Sequence, residues 1–294
     1  MHLQRPLLTL GLLCWMLVAC DLPMAKRAAE QQPLSQIPLG KINLDPSSRP
    51  QHDAKVLRLD LTAWLREIEA VGIRPLLLPQ EKDAEALVIS LKAAAFEPTL
   101  IFNRPPLRSS DRLLTQGTAS FSLGSGFVSS TQASEPVGLL RIKDEDISPL
   151  LPHGYTRILA VRDGALQIFH RDDERVMQVP QAMQLGPGIV ENGLLDINQR
   201  ELRKQPYHRA ALGLCETPTE LTYLLVISLK PIHLYRLGQL LLDQQRVPAW
   251  RCREVVNFAG DREAFLGVKT PDGLFYVGDP KRVRMSLLAF STGG

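Results

Sequence analysis

The sequence has little excess charge of either sign, with 34 Lys and Arg residues against 31 Asp and Glu residues. The formal net charge of +3 is small for a chain of 294 residues, and no long basic run adds to it. The composition therefore gives no argument for a nucleic-acid partner. The chain also lacks a repeat of fixed period and a sustained heptad series, so we do not expect a solenoid or a coiled coil.

The motifs of several common enzyme chemistries are also missing. The sequence contains neither a P-loop nor the Gly-rich fingerprint of a dinucleotide-binding fold, so we expect no cofactor. The Gly-Ser-Gly segment at 124–126 is not the Gly-x-Ser-x-Gly elbow that a serine nucleophile would need. The histidines are scattered without metal-ligand spacing, so we expect no metal. Among them, His208 is the most interesting because Arg209 follows it directly.

The bulk composition is that of a globular protein. Hydrophobic residues make up 45% of the chain and charged residues 22%, which is ample for a buried core. The length fits one large domain or two smaller ones. We divide the chain into a signal peptide at residues 1–19, a lipidated tether at residues 20–54 and one main domain at residues 55–294.

The first residues of the chain have the features of a secretory leader. Arg5 supplies the positive end, and Leu7–Val18 supplies an apolar centre that is too short for a comfortable membrane span. The segment ends in Leu-Val-Ala-Cys, which resembles the lipobox of bacterial lipoproteins. In that family the cysteine becomes the lipidated first residue, so Cys20 is expected to anchor the chain to a membrane. A plain signal peptide with an incidental cysteine is the alternative.

The leader also bears on location and on the remaining cysteines. By resemblance to other lipoproteins, Asp21 favours the periplasmic face of the inner membrane, and the outer membrane is the alternative. Residues 22–54 are rich in Pro, Gln, Ser and Lys without periodicity, which indicates a tether. Export places Cys215 and Cys252 in an oxidising compartment, so we predict a disulfide between them. Two separate buried thiols are the alternative.

Local patterns in the main domain predict both helices and strands. Apolar residues at helical spacing predict helices at Leu61–Val71, Asp83–Ala95 and Pro231–Leu242. Short apolar or alternating segments predict strands, and Asp163-Gly164 is the strongest hairpin signal. The predicted strands are Val56–Leu61, Arg74–Leu78, Thr99–Asn103, Arg157–Arg162, Ala165–His170, Val176–Val179, Thr222–Leu229, Leu274–Val277 and Met285–Phe290. We therefore predict an α+β fold with a mixed β-sheet core and flanking helices.

A polar turn is predicted within the stretch Trp250–Val268. A short apolar strand at Val255–Val256 leads into a turn from Asn257 to Asp261, and a second apolar run follows at Phe265–Val268. Binding sites are commonly built on such turns, because a rigid sheet positions the loop. An ordinary hairpin turn is the alternative, since Asn, Gly and Asp dominate turns in general.

Several segments of the main domain follow one another in a recognisable order. These segments are Gly124–Phe127, Pro136–Leu139, Gln184–Gly193, Arg209–Gly213, Leu234–Leu242 and Arg251–Asp261. Their order within residues 119–279 resembles the bacterial and animal phosphodiester glycosidase family, whose animal member removes N-acetylglucosamine from a sugar phosphodiester. The resemblance implies a phosphodiester glycosidase-like domain that binds or acts on a glycosyl phosphodiester or glycan of the cell envelope.

The resemblance also implies roles for individual residues. The implied substrate-binding residues are Gly126, Arg209, Asn257 and Gly260, and the implied catalytic residues are Asp261 and Glu263. Arg209 would hold the phosphate with its planar guanidinium group, and a salt bridge at the start of a strand is its alternative role. Asn257 would bind sugar hydroxyls, and the turn ending at Gly126 would offer backbone N–H groups.

The sequence departs from the family pattern at positions that carry polar groups. Gly124 and Ser125 stand where the family has an Asn, Ala259 stands where it has an Asp, and Asp261 replaces a Gly. Loss of a proton-transferring carboxylate lowers a rate by about 10²- to 10⁴-fold. We therefore expect a degenerate active site in a domain that still binds its ligand. A competent hydrolase and a purely structural envelope lipoprotein are the alternatives.

Overall fold

A computed structural model describes residues 71–76, 85–124, 126–129, 135–245, 251–270 and 273–293, which belong to one compact unit. The predicted leader, Cys20 and the tether lie outside these ranges. So do the predicted strand Val56–Leu61 and all of the predicted helix Leu61–Val71 except its last residue, which begins a strand. The division into leader, tether and main domain therefore stays a prediction.

Strands dominate the described residues. In chain order they are β1 (Val71–Leu76), β2 (Ala86–Lys92), β3 (Phe96–Phe102), β4 (Phe121–Gly124), β5 (Leu140–Ile142), β6 (Glu145–Ser148), β7 (Arg157–Arg162), β8 (Ala165–His170), β9 (Gln181–Leu185), β10 (Gly188–Glu191), β11 (Leu194–Leu195), β12 (Arg209–Glu216), β13 (Leu221–Ser228), β14 (Arg251–Gly260), β15 (Phe265–Thr270), β16 (Gly273–Val277) and β17 (Ser286–Thr292). The α-helices are α1 (Ser110–Gln116) and α2 (Leu234–Gln245), and short 3₁₀ helices span Ala93–Ala95, Glu174–Gln178, Gln199–Arg203 and Asp261–Glu263.

The strands form three sheets. The first sheet has seven strands in the order β1-β2-β13-β12-β14-β10-β11. The second has the order β16-β15-β4-β17-β3, and the third has the order β6-β5-β9-β7-β8. Every strand pair within these sheets is antiparallel in the described part of the chain.

The predicted α+β class with a mixed sheet is therefore wrong, because the described chain is predominantly antiparallel β-sheet. The largest local error is the helix predicted at Asp83–Ala95, most of which is strand β2. This strand lies between β1 and β13, and the side chains of residues 86–89 are all buried. A strand buried on both faces presents a continuous apolar run, which periodicity cannot distinguish from a buried helix.

Other local predictions fare differently. Strands β7 and β8 have the predicted bounds, and Asp163-Gly164 between them has φ values of 51° and 75°, as a primed hairpin turn requires. The strand predicted at Val176–Val179 is wrong, because the chain there forms a 3₁₀ helix. Asp173 caps that helix by accepting a hydrogen bond of 2.9 Å from the backbone N–H of Arg175.

The first sheet is covered on both of its faces. The largest apolar cluster includes Leu212 of β12, Leu185 of β9 and Leu288 of β17, so it joins all three sheets. Residues on the opposite face of the first sheet cluster with Leu237 and Leu241 of helix α2. Successive residues of a strand point to opposite faces, so β12 and β14 contribute to both clusters and are firmly held.

Strand β14 extends further than the sequence indicates. The turn predicted from Asn257 to Asp261 is wrong, because the strand continues to Gly260 and pairs with β12 there. The predicted disulfide is confirmed, since Cys215 of β12 is bonded to Cys252 of β14. Strand pairing and the disulfide therefore fix the chain on both sides of Asn257.

Candidate functional site

A cavity of about 330 Å³ lies where the C-terminal ends of β13 and β14 meet the start of β12. Its polar lining residues are His208, Ser228, Asp261, Arg262, Asp279 and Arg282. The two arginines supply donors for an anionic group, and the two carboxylates supply acceptors for hydroxyl groups. The cavity therefore suits a ligand that carries both kinds of group.

Asp261 lines the cavity because the chain turns sharply after β14. Its backbone φ is 52°, which is unusual for a residue other than glycine. The turn is held by a hydrogen bond of 2.8 Å from the N–H of Asp261 to the carbonyl oxygen of His208. Both residues line the cavity, so this bond ties two of its walls together.

Arg284 is completely buried and binds backbone groups of residues at the edge of the cavity. Its guanidinium donates to the carbonyl oxygens of Arg262 at 3.0 Å, Glu263 at 3.2 Å and Asp279 at 2.7 Å, and to Oγ of Ser110 at 2.9 Å. Burial lowers the pKa of Arg284 to about 10, so the group stays charged at neutral pH. Sequence reasoning missed this residue, because its partners come from three separated segments.

Glu263, an implied catalytic residue, lies beside the cavity and contacts two arginines. Its Oε1 accepts a hydrogen bond of 2.6 Å from Nε of Arg282, and its Oε2 lies 3.9 Å from Nε of Arg284. The side chain of Glu263 is 12% exposed. In this position the carboxylate orients Arg282, which lines the cavity.

Arg209 lies at the start of β12, where it pairs with Gly260 of β14. Its guanidinium packs across that glycine, since a Cβ at Gly260 would lie 3.1 Å from Nη1. Nη2 of Arg209 is 3.7 Å from Oε1 of Glu201, and the guanidinium carbon is 5.2 Å from the ring centre of Tyr207. Burial lowers the pKa of Arg209, and the charges of Glu201 and Asp261 partly oppose that shift.

Asn257 lies deeper along β14 and is 1% exposed. Its Nδ2 donates a hydrogen bond of 3.1 Å to the carbonyl oxygen of Gly186. Its backbone N–H donates to the carbonyl of Pro187 at 3.0 Å, and its carbonyl accepts from the N–H of Gly186 at 3.2 Å. Gly186 has a φ of 140°, and a Cβ there would lie 2.9 Å from the backbone nitrogen of Thr156. Hydrogen bonds thus hold Asn257 and the Gly186-Pro187 segment in place against each other.

The structure brings some of the implied site residues together and separates others. Asp261 lines the cavity, and Gly260 and Arg209 adjoin it. Gly126 lies elsewhere, packed against Met183 of β9, where a Cβ would approach the sulfur to 3.0 Å. The assignment of these residues to a substrate site therefore remains a prediction, with Asp261 and Arg209 in the most suitable positions.

The described residues also bear on two other kinds of function, metal binding and membrane insertion. No group of three or more His, Cys, Asp or Glu side chains there could hold a metal ion. None of the helices within the described ranges has the length and apolar character of a membrane span. The predicted lipidation site at Cys20 lies outside those ranges.

Comparisons with known proteins reveal a distant relationship of fold. No family model and no curated protein sequence matches this chain. The catalytic domain of zebrafish N-acetylglucosamine-1-phosphodiester alpha-N-acetylglucosaminidase, auto-inhibited by its pro-peptide, matches in structure with a TM-score of 0.51 and 10% identity, over 86% of this chain and 98% of that one. A hypothetical protein from Synechocystis also matches with a TM-score of 0.51 and 10% identity, over 76% of this chain and 62% of that one. The chain therefore has a fold distantly similar to that of a phosphodiester glycosidase domain.

Proposed function

We propose that this chain binds a glycosyl phosphodiester or related envelope glycan in the cavity beside Asp261, and that its catalytic site is degenerate. The observation that carries the proposal is that Asp261, Arg262 and Arg282 line one cavity. The arginines bind the phosphodiester anion through charge-assisted hydrogen bonds. The fold similarity to the zebrafish glycosidase domain supports the same ligand class.

The buried, apolar environment of Ala259 supports a degenerate catalytic site. The resemblance places a family Asp at this position, but Ala259 is fully buried within the largest apolar cluster. The chain therefore has no carboxylate at that point. Asp261 presents its carboxylate at the cavity instead, from a backbone that has already turned away from the strand.

Hydrolysis is the second candidate function, and one observation favours it. Asp261 and Asp279 line the same cavity, as a pair of carboxylates does in most glycoside hydrolases. The left-handed backbone of Asp261 is also the kind of local strain that clusters at functional sites. In this case Asp261 transfers the proton, and Glu263 orients Arg282.

Binding is tested by titrating purified full-length protein with the methyl phosphodiester of N-acetylglucosamine in a calorimeter. Arg262→Ala removes an exposed cavity arginine, and we expect the Kd to rise by at least about tenfold, as loss of a charged hydrogen bond predicts. Arg251→Ala is the matched control, because Arg251 is an exposed arginine at the opposite end of β14. Equal affinity in both variants would rule out the cavity as the binding site.

The same ligand separates binding from hydrolysis. A degenerate site binds the phosphodiester without releasing N-acetylglucosamine. Release that disappears in Asp261→Asn would support the second candidate, because Asn keeps the shape of the side chain but cannot transfer the proton. Binding without release in both proteins supports the first.

Attachment to the cell envelope through Cys20 is a separate part of the proposal. It rests on the Leu-Val-Ala-Cys segment that closes the apolar leader. Mass spectrometry of the purified protein is expected to find acyl chains on Cys20 as the first residue, and Cys20→Ala should release the protein from the membrane fraction. An unmodified Cys20 within a longer mature chain would refute the anchor. Fractionation of inner and outer membranes tests our inner-membrane assignment.

A further inference from the structure

All the exposed charges of the surface segment at residues 199–207 are positive. The segment begins with the 3₁₀ helix Gln199–Arg203, and every residue from 202 to 207 is exposed. No ion pair within the described ranges involves its exposed cations, which are Arg200, Arg203 and Lys204. Positive charges that the fold leaves uncompensated attract an anionic partner.

The single acidic residue of the segment, Glu201, faces the interior of the protein. It is 5% exposed, and its Oε2 accepts a hydrogen bond of 3.1 Å from the N–H of Tyr235 in helix α2. Nη2 of Arg209 lies 3.7 Å from its Oε1, so a buried cation offsets the charge of this carboxylate. Glu201 therefore does not cancel the positive charge on the exposed side of the segment.

The backbone holds the segment in a fixed position at both ends. At the first end, Oδ1 of Asn198 accepts a hydrogen bond of 2.8 Å from the N–H of Arg200 and caps the 3₁₀ helix. At the other end, Tyr207 and Ile232 exchange backbone hydrogen bonds of 2.9 Å and 3.4 Å. Because the backbone is already ordered, a partner would not need to order it on binding.

Two apolar side chains lie among these cations. Leu202 is 41% exposed and Tyr207 is 43% exposed. Cations interspersed with apolar and aromatic side chains are typical of segments that lie on anionic bilayers, where the charges meet the headgroups and the apolar groups enter the interface. A soluble acidic polymer would bind the cations but would leave Leu202 in water. The composition of the segment therefore favours a lipid surface.

The predicted lipid anchor would bring this segment to a membrane. Residues 21–70, fifty in all, separate Cys20 from Val71, where the first described strand begins. A chain of that length reaches up to about 165 Å when fully extended, so its length does not decide which face of the domain meets the bilayer. A surface of matching charge decides it, and a weak attraction suffices because the anchor keeps the lipid at a high local concentration.

We infer that residues 199–207 dock the domain onto the anionic surface of a membrane, with the three cations against lipid headgroups and the two apolar side chains in the interface. The inference rests on the part of the proposed function that attaches Cys20 to the envelope. Since His208 directly follows the segment and lines the cavity, docking would bring the cavity close to the lipid surface. The ligand would then be bound at the membrane.

Docking is tested by co-sedimentation of full-length Cys20→Ala protein, which has no acylation site, with lipid vesicles. One set of vesicles contains equal parts of phosphatidylglycerol and phosphatidylcholine, and the other contains phosphatidylcholine alone. We expect the anionic vesicles to bind the protein at least about tenfold more tightly. Added salt should abolish this preference, because it screens charges at a surface. The leader is present in every protein compared, so its apolar contribution is shared.

Neutralising the three cations should remove most of the preference for anionic vesicles. The test variant is Arg200→Gln, Arg203→Gln, Lys204→Gln, for which we expect a loss of about tenfold in affinity. The matched control is Lys92→Gln, Arg251→Gln, Arg253→Gln, which removes the same charge at the opposite end of the first sheet and should keep the preference. Both variants should bind the methyl phosphodiester as wild type does, because none of these residues lines the cavity.

A single substitution tests the apolar contribution. Leu202→Gln should weaken binding to anionic vesicles several-fold without changing the melting temperature, because the side chain is already 41% exposed. Met177→Gln is the control, since Met177 is a 66% exposed apolar residue of another 3₁₀ helix, Glu174–Gln178. Equal binding by the two variants would contradict entry of the segment into the lipid interface.

The inference is overturned if wild-type sequence at residues 199–207 binds both kinds of vesicle equally, or if the triple variant keeps the preference. It is also overturned if vesicles do not bind while soluble heparin binds through the same cations, since the partner would then be an acidic polymer. The anchor is judged separately, by acylation of Cys20. An acylated Cys20 without an anionic preference refutes the docking surface alone, and an unmodified Cys20 with a cation-dependent preference refutes the anchor alone.

Discussion

Gly138 lies directly against the side chain of Gln184. A Cβ at Gly138 would come within 2.7 Å of Gln184 Oε1, and the glycine has a φ of 85°. The residue after it, Leu139, donates its N–H to the same Oε1 at 3.1 Å. Both residues belong to segments that carry the family resemblance, so these two positions are explained by packing without any role in chemistry.

Gln184→Met should strongly destabilise the fold. The buried amide accepts from the N–H groups of Leu139 and Leu151, and donates to the carbonyls of Leu151 and Tyr155. Methionine fills a similar volume but leaves these backbone groups unpaired, so we expect a loss of about 3 kcal/mol or more in urea unfolding. Gln167→Met on β8 is the control and should change stability by about 0.5 kcal/mol or less. Similar losses in both variants would contradict this account.

The Cys215–Cys252 disulfide should contribute substantially to stability. It links residues 37 apart in sequence, and the loop-closure model gives a contribution of about 4 kcal/mol for such a link. We expect the double variant Cys215→Ala, Cys252→Ala to lose a large part of this in guanidinium unfolding. Reductant should lower the stability of the wild type and leave that of the variant unchanged. A wild type that is insensitive to complete reduction would refute the prediction.

Glu254→Gln should raise stability at neutral pH but not in acid. Burial raises the pKa of Glu254, and repulsion from Glu191 adds to the shift, although Arg157 opposes it. A carboxyl whose folded pKa is raised contributes stability below its unfolded pKa, near 4.3, and loses it as pH rises through the folded pKa. Arg157 keeps Asp196 as a partner at 2.6 Å in the variant.

Melting temperatures measured from pH 4 to pH 8 test this expectation. At pH 4 the melting temperatures of Glu254→Gln and wild type should be nearly equal. As pH rises, the melting temperature of the variant should increasingly exceed that of wild type. Glu97→Gln, at an exposed residue of the edge strand β3, is the control for loss of a surface carboxylate. A Glu254→Gln difference that is constant or shrinks with pH would show that burial does not govern this carboxyl.

Local sequence predicts the parts of this fold that local chemistry determines. The Asp163-Gly164 turn is predictable, because few residues other than Asn, Asp and Gly adopt left-handed backbone at both positions. Strand β2 is not predictable from local sequence, because its residues become a strand by pairing with β13, which lies far along the chain. An apolar run of its length fits a buried helix equally well until its neighbours are known.

The candidate site is predictable to a similar extent. The sequence singles out Asp261 by predicting a polar turn there, and the structure places Asp261 at the cavity although the strand runs on to Gly260. Arg284 and Glu201 give no local signal, since each looks like an ordinary surface charge in a polar segment. Both are bound by partners from other segments, namely Ser110 and Arg262 for Arg284, and Tyr235 for Glu201.

Substitutions of Ala259 and Asp261, at the end of β14, should change the stability of the fold in opposite directions. Ala259→Asp would bury a carboxylate within the largest apolar cluster, so we expect a loss of at least about 3 kcal/mol in urea unfolding. Asp261→Gly should instead stabilise by about 1 kcal/mol, because glycine adopts the φ of 52° without strain. Asp261→Asn is the control, since it removes the charge without relieving the backbone. Equal stability of Asp261→Gly and Asp261→Asn would show that the backbone is not strained.

The double variant Ala259→Asp, Asp261→Gly recreates the order of residues in the family turn. We expect it to be less stable than wild type, because a gain of about 1 kcal/mol at residue 261 cannot offset the burial of a charge at residue 259. It should also not release N-acetylglucosamine from the methyl phosphodiester, since the new carboxylate faces the core while the cavity loses that of Asp261. A double variant that is as stable as wild type and hydrolyses the ester would mean that residue 259 faces a polar pocket. In that case the proposed degeneracy of the site would be attributed to the absence of a carboxylate at residue 259 alone.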